Sequence, residues 1–399
     1  MRIARRNSGN SSHPTLRNRL AAVGASAAVA VGALAVAAQA YAADAVEVGS
    51  IAALSGYLAS YDGNFLDGLK LAVKLINSEK AVGARTLDLH IMDGASNATT
   101  GVTATNQLLN QFGVAILLNG ASSATSVGIY PIVADASVPF ITLSQLPPNH
   151  KWAFLSTTDF SRVMQLEIEF TTVHLKAKKI GIIYNLTPAA QKATQTLTEL
   201  APKSGLQVVT TQGVDVNATD FTPQMAAFKD AQVDAVLDFM TGPAHILEAK
   251  AAATVGLKAT LVMGLDDTAT FRQASAAYAE SYISAIPVQV YPDIADPAQK
   301  AAVGSFLDAY KKAGLNPAGV QAAASGWDAA HMLAAVVQKS GAVSGEALRG
   351  AMENLDYQGA VTRWQFTPDD HTGQARSEAL QMAKFVDGAM KVMFRPGGK

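Results

Sequence analysis

The pattern that most restricts this chain is an alternation, run twice, of short β-branched runs with longer stretches of helical spacing. Residues 46–54, 87–92, 114–118 and 139–143 read as strands. Between them Phe65, Leu66, Leu69, Leu71, Ala72 and Leu75 recur at helical spacing, and 103–111 and 127–136 read as helices. The series restarts with strands at 180–184, 208–211, 235–239 and 261–263, separated by helices at 189–200, 223–228 and 246–255. Such alternation makes parallel sheets with right-handed crossovers. The 399 residues exceed one compact core and fit lobes of roughly 150 residues each. No low-complexity linker separates the two series, so the expectation is an α/β chain of two doubly wound lobes joined by several crossings. The last third adds Ala-rich amphipathic helices at 298–313, 322–339 and 346–355. Strands then follow at 357–366 and 380–386, with Asp387-Gly388 as a hairpin turn before 391–394.

The first 42 residues read as an export signal. Arg2, Arg5, Arg6, Arg17 and Arg19 precede an apolar run over 20–38, and Ala40-Tyr41-Ala42 supplies a small-x-small cleavage site. The run is mostly Ala, Val and Gly, weakly apolar for a membrane anchor. Cleavage after Ala42 takes the formal net charge from −1 to −6. A mildly acidic protein of mean hydropathy +0.16, with no Lys/Arg block past that signal, is no candidate for nucleic acid or a polytopic membrane protein. The expected location is the periplasm.

The usual sequence signatures of catalytic and metal chemistry are absent. With no Cys, thiolate nucleophiles, Fe–S clusters and Cys-ligated zinc are excluded. There is no Walker loop, no GxGxxG after a strand and no HExxH. Gly120-Ala121-Ser122-Ser123-Ala124 lacks the second Gly of a nucleophile elbow. The six His past the signal are scattered, none at i,i+3 or i,i+4 from another. The expectation is a binding protein: no enzyme, no cofactor, no metal.

The loop with the strongest binding signal follows the strand at 114–118. Its small hydroxyl run, Ser122-Ser123-Ala124-Thr125-Ser126, sits where a strand ends and a helix begins. Ligands bind outside that edge of an open α/β sheet. A helix N-terminus offers free N–H groups and the positive end of a dipole, and Ser hydroxyls beside it complete a carboxylate cradle. Plain N-capping accounts for one Ser and not for the run. The next strand ends in Thr142-Leu143-Ser144-Gln145, beside that loop if the sheet is parallel.

The segment Ile51-Ala52-Ala53-Leu54-Ser55-Gly56-Tyr57-Leu58-Ala59-Ser60-Tyr61, with Gly63 and Gly68, resembles the opening of the leucine/isoleucine/valine-binding family. These are type I periplasmic solute-binding proteins of ABC importers. Asn119-Gly120, Val138-Pro139-Phe140-Ile141, Asp220-Phe221-Thr222, Asp234-Ala235-Val236, Gly256-Leu257, Gly326-Trp327-Asp328-Ala329 and Tyr357-Gln358-Gly359 extend the likeness along nearly all of the exported chain. The resemblance implies two Rossmann-like lobes joined by three crossovers and closing on a small ligand. It implies an N-terminal lobe of residues 43–155 plus 286–357 and a C-terminal lobe of 156–285 plus 358–399, after the signal at 1–42. It also implies a monomer that passes its ligand to inner-membrane permease and ATPase subunits. By position, Ser122 and Ser123 match the loop that holds a ligand carboxylate, Ser144 and Gln145 the second loop of that lobe, and Tyr61 an aromatic residue at the cleft edge. Asp266, in Gly264-Leu265-Asp266-Asp267, matches the acid that takes a ligand ammonium from the other lobe.

Three departures bear on the ligand. Leu146 stands where amino-acid binders usually carry Thr, Ala153-Phe154-Leu155-Ser156 lacks a following Arg, and Pro188-Ala189 replaces a Tyr-Gly. The expected ligand is a small carboxylate-bearing solute, a branched-chain or other amino acid. The alternatives are an aromatic acid or amide, to which an apolar Leu beside the site is better suited, or a ligand-sensing receptor of the same fold.

Overall fold

The computed structural model describes residues 45–147, 149–240, 242–374 and 380–397; the export signal read at 1–42 lies outside them. Five strands, β1 (Ala45–Ala52), β2 (Thr86–Asp93), β3 (Ile116–Asn119), β4 (Phe140–Thr142) and β5 (Ala153–Leu155), form one sheet in the order β2-β1-β3-β4-β5. Helices α1 (Ala59–Ser78), α2 (Ala98–Gln107) and α3 (Ser123–Asp135) connect them. β3, β4 and β5 are buried along their whole length, as short continuous apolar runs in a sheet covered on both faces must be. In parallel register Ile51 lies opposite Asn119, Asn119 opposite Thr142, and Thr142 opposite Leu155. The carboxyl ends therefore share one edge. The order reverses at β1, which opens a crevice between the ends of β1 and β3.

The second sheet repeats the device. The chain continues through α4 (Phe160–Glu169), β6 (Lys179–Asn185), α5 (Pro188–Leu200), β7 (Gln207–Val214), α6 (Thr222–Asp230), β8 (Ala235–Phe239), α7 (Pro243–Val255), β9 (Thr260–Met263), α8 (Thr268–Ala277) and β10 (Ser281–Ala285). It then adds α9 (Pro297–Lys312), α10 (Val320–Ser340), α11 (Gly345–Met352) and a separate ladder of β11 (Asp356–Gln358) and β12 (Arg363–Gln365). It ends in an antiparallel hairpin, β13 (Gln381–Val386) and β14 (Ala389–Phe394). The order is β14-β13-β10-β9-β8-β6-β7, so the reversal falls at β6 and the crevice between β6 and β8. The expected series of about five strands is here five strands plus the hairpin. The chain leaves the first sheet after β5, returns after β10, and leaves again between β12 and β13. These are the three crossings of a two-lobed α/β fold.

The return segment packs as tightly as any part of the molecule. α10 is Ala-rich and buried over most of its length against α1. A Cβ on Gly68 would lie 1.9 Å from the Ala323 carbonyl oxygen, and one on Gly326 would lie 2.1 Å from that of Phe65. Two glycines, each facing the backbone of the opposite helix, let the helices touch at main-chain distance. Phe65 and Leu69 are buried in this contact, each contributing about 1.5–3 kcal/mol by leaving water. Asp328, inside α10, accepts the Ala360 and Val361 amides at 2.8 and 2.9 Å and the Trp364 indole N–H at 2.9 Å. It pins the segment before β12 to the helix, and burial pushes its carboxyl up to about 7.

Candidate ligand-binding cleft

The two crevices face each other, and between them lies a cleft of about 700 Å³, its part open to solvent included. One wall comes from the loops after β1, β3 and β4, the other from those after β6, β8 and β9. Tyr57, Tyr61, Phe160 and Phe239 give it aromatic surface, with Leu143, Met240 and Leu265 filling between them. Polar groups are few: Ser123 and Ser144 from the first lobe, Gln145 and Thr157 at the crossing, Asn185 and Thr187 from the second. Among the described lining residues none is charged. An apolar body with a few convergent hydroxyls and amides is the usual make-up of a small-molecule site.

The Ser loop is shaped by its helix. α3 begins at Ser123, four residues earlier than apolar spacing indicates, because its first turn carries small polar residues in place of core residues. Ser122 is the N-cap: its hydroxyl accepts the Thr125 amide at 3.2 Å and the Thr125 hydroxyl at 2.9 Å. It is buried, lies against the Tyr57 hydroxyl and does not line the cleft. Ser123, one residue on, does. The two serines thus divide the work that position alone assigned to both.

Asp62, which sequence reasoning passed over, fixes this loop. From the first turn of α1 its carboxylate accepts the Ala53 amide at 2.6 Å and the Ala121 amide at 2.8 Å, binding the loop after β1 to the loop after β3. A Cβ on Gly120 would come within 2.2 Å of it. Burial pushes its carboxyl up to about 6 against the pull of the two amides. Burial, then the charge of Asp62, pushes the Tyr57 hydroxyl up to about 12.

The remaining expected residues separate into wall and support. Tyr61 lines the cleft and donates its hydroxyl to Gln321 of α10 at 2.5 Å. Burial, then the charges of Asp267 and Asp266, holds that hydroxyl well above the usual phenol range. Ser144 lines the cleft while its amide donates to the Thr142 hydroxyl at 3.0 Å. Gln145 lines it too, with its side chain spent on the first crossing: it accepts the Phe160 amide at 2.8 Å and donates to the Thr158 carbonyl at 3.2 Å. Leu146 packs on the hydrophobic clusters behind and is not part of the lining; Phe160, Phe239 and Met240 supply the apolar surface instead.

Asp266 is 1% exposed and does not line the cleft. Its carboxylate accepts the Gly242 amide at 2.7 Å, the Asp267 amide at 2.7 Å and a proton shared with His245 Nδ1 at 2.6 Å. Among the lining residues that sequence reasoning missed, Asn185 and Phe239 end β6 and β8, and Phe160, Thr187 and Met240 follow β5, β6 and β8. The strand ends flanking the second reversal were the available signal.

A family model described as Periplasmic binding protein matches residues 45–388. Leu/Ile/Val-binding protein homolog 1 of Brucella abortus (strain 2308) is 24% identical over 228 residues, which are 55% of this chain and 60% of that protein. The chain therefore spans less than two thirds of that curated relative's length. Among solved structures, an extracellular ligand-binding receptor from Rhodopseudomonas palustris HaA2 superposes with a TM-score of 0.80 at 18% identity, covering 87% of this chain and 99% of that one. An ABC-transporter solute-binding protein from R. palustris, solved in complex with 4-hydroxybenzoate, gives 0.75 at 17% identity, with 88% and 96% covered.

Proposed function

The chain belongs to the periplasmic binding protein family, and on that premise we propose that it captures a small carboxylate-bearing solute with an apolar or aromatic body for an ABC importer. It acts as an exported monomer, by binding and without catalysis, and hands its ligand to inner-membrane permease and ATPase subunits. The observation that carries this reading is the cleft itself. It lies where the strand order reverses in both sheets, and it is aromatic on its walls. Ser123 and the start of α3 stand at one end of it. The ligand's carboxylate takes the first-turn amides of α3 with the Ser123 and Ser144 hydroxyls; the N-terminal end of the helix dipole favours an anion there. Tyr57, Tyr61, Phe160 and Phe239 enclose the body. Ser122 acts behind this surface as helix cap, Gln145 lines it with its side chain spent as a loop brace, and Asp266 acts behind the opposite wall.

Both ligand types named among the similar proteins, branched-chain amino acids and a hydroxybenzoate, carry a carboxylate on an apolar body. Calorimetry and thermal shift against leucine, benzoate, 4-hydroxybenzoate, 4-methylpentanoate and 3-phenylpropanoate test the proposal. A ligand present at 100 times its dissociation constant stabilises the folded state by about 2.7 kcal/mol. At least one of the panel is expected to bind one to one. Silence of the whole panel at millimolar concentration sinks the proposal.

A further inference from the structure

Beneath the second-lobe wall lies a buried ionic cluster that the capture reading does not use. His245, in the first turn of α7, is 1% exposed and stands between two carboxylates: Nδ1 is 2.6 Å from Asp266 Oδ2 and Nε2 is 3.0 Å from Asp238 Oδ2. Both acids sit at strand ends next to lining residues, Asp238 before Phe239 and Met240, Asp266 after Leu265. Asp238 also accepts the Met240 amide, and Asp266 the amides of Gly242 and Asp267. Glu248, one turn along α7, is buried with neither carboxyl oxygen hydrogen-bonded, and Glu167 of α4 accepts the Ser284 hydroxyl at 3.2 Å. Burial first, and then the charge of Asp238, holds both glutamates well above the usual carboxylate range. The two aspartates hold the imidazole in its charged form against its own burial. One imidazole between two aspartates, none of them lining the cleft, is what remains.

The other acids near the cleft are likewise occupied. Asp62 holds the Ala53 and Ala121 amides. Asp267 accepts from Asn64 at 2.7 Å and from the Ala322 amide at 3.4 Å. A ligand ammonium would meet aromatic rings, a thioether, hydroxyls and the amides of Gln145 and Asn185, with no carboxylate among the described lining residues.

We infer that His245 is a specificity-determining residue of this cleft: by holding Asp238 and Asp266 beneath the wall it withdraws the acids a ligand ammonium would need, so the cleft takes carboxylates that lack an α-amino group. The inference rests on the capture reading above. Matched pairs differing only by the amine test it: 3-phenylpropanoate against phenylalanine, and 4-methylpentanoate against leucine, by calorimetry. The plain acid of each pair is expected to bind at least about 100-fold tighter, since an ammonium left without a counter-charge in a closed site is costly. Equal or tighter binding of the amino acids overturns this inference and leaves the capture reading standing. Silence of both pairs, of benzoate and of 4-hydroxybenzoate overturns the two together.

In His245→Gln, Asp266 loses its cation, and the preference for the plain acid is expected to fall at least about tenfold. A folded variant that keeps the full preference overturns the role of His245. The wild type supplies a measurement that does not depend on the variant folding. Its His245 ring, observed by ¹⁵N NMR at pH 8 with Asp238, Asp266, Glu248 and Glu167 around it, is expected to carry protons on both nitrogens. A neutral tautomer there overturns the proposal.

Discussion

Ser122 and Ser123 are adjacent, small and chemically identical, yet the helix that begins between them gives them different work. Ser122 spends its hydroxyl on Thr125; Ser123 lines the cleft. Substitution should separate the two. Ser122→Ala removes an N-cap and should cost about 1 kcal/mol of stability, read as a lower melting temperature of the empty protein. Ser123→Ala combined with Ser144→Ala should leave that melting almost unchanged. It should weaken carboxylate binding by about 10–150-fold, the equivalent of the roughly 1.5–3 kcal/mol in a hydrogen bond to a charged group. Unaltered affinity in the double variant would remove the carboxylate from this end of the cleft. Asp266 shows what single residues do not disclose in sequence. Its place in the loop after β9 was legible; the histidine that claims its charge lies 21 positions away and comes beside it only when β8 and β9 pair.

At the scale of elements, the long strands and the helices with a clear apolar stripe were legible because their periodicity is carried by side chains that must be buried. β1, β2, β6, β8 and the terminal hairpin fall close to where their apolar runs place them. Among the short pieces, β3, β4 and β9 were marked by apolar runs, and β5 was not. β5 is three residues long, too short to carry a period, and its strand character comes from pairing with β4. α3 starts early because its first turn faces the cleft and so carries serines and threonines in place of core residues. The site was blurred in sequence for the same reason that makes it a site. The contact of α1 with α10 makes a sharper claim. Gly326 cannot accept a methyl without pushing the Phe65 carbonyl, since the neighbouring atom is backbone. Gly326→Ala should therefore destabilise by about 1–3 kcal/mol as an overpacked core, although alanine is the better helix former. Chemical denaturation reads this directly, and a variant as stable as the parent would mean that the helices can separate without loss.

At the scale of the whole molecule, buried acids join pieces that the chain keeps apart. Asp62 ties two loops of one lobe, Asp328 ties α10 to the segment before β12, and Asp267 reaches across the lobes. Asp267 stands at the N-cap of α8 yet makes no side-chain cap bond there. Its carboxylate goes to Asn64 of α1 and to the start of α10, where the helix dipole favours it. Burial, with the charge of Asp266 added for Asp267, pushes Asp62 up to about 6 and Asp267 and Asp328 up to about 7. His245 is held well above its ordinary value by Asp238 and Asp266, which outweigh its burial. All four shifts have one sign. Each group binds its proton more tightly folded than unfolded, so the folded state holds more protons between about pH 4 and pH 7, and through His245 above that. The stability these protons carry is complete at the acid side of that window and is lost as pH rises through the folded values. Of the groups shifted the other way, His150 and His331, held low by burial, oppose this trend as pH rises toward the usual imidazole value, and the carboxylates act elsewhere. Asp234, held low by the Lys179 and Lys178 amides, and Glu346, held low by Arg349 and Lys151, stabilise above their unfolded range and lose that contribution only as pH falls below about 4. The protein should therefore melt several degrees lower at about pH 8.5 than at about pH 5.5, since a few kcal/mol of linked protonation is a large part of a marginal stability. Asp328→Asn should flatten this slope, because it removes the fully buried titration; it should also lower stability at about pH 5.5, because one amide N–H then faces a donor. A melting temperature that rises from about pH 5.5 to about pH 8.5 would show that these carboxyls are ionised in the folded protein across the whole range, and that some cation beside them supplies the charge.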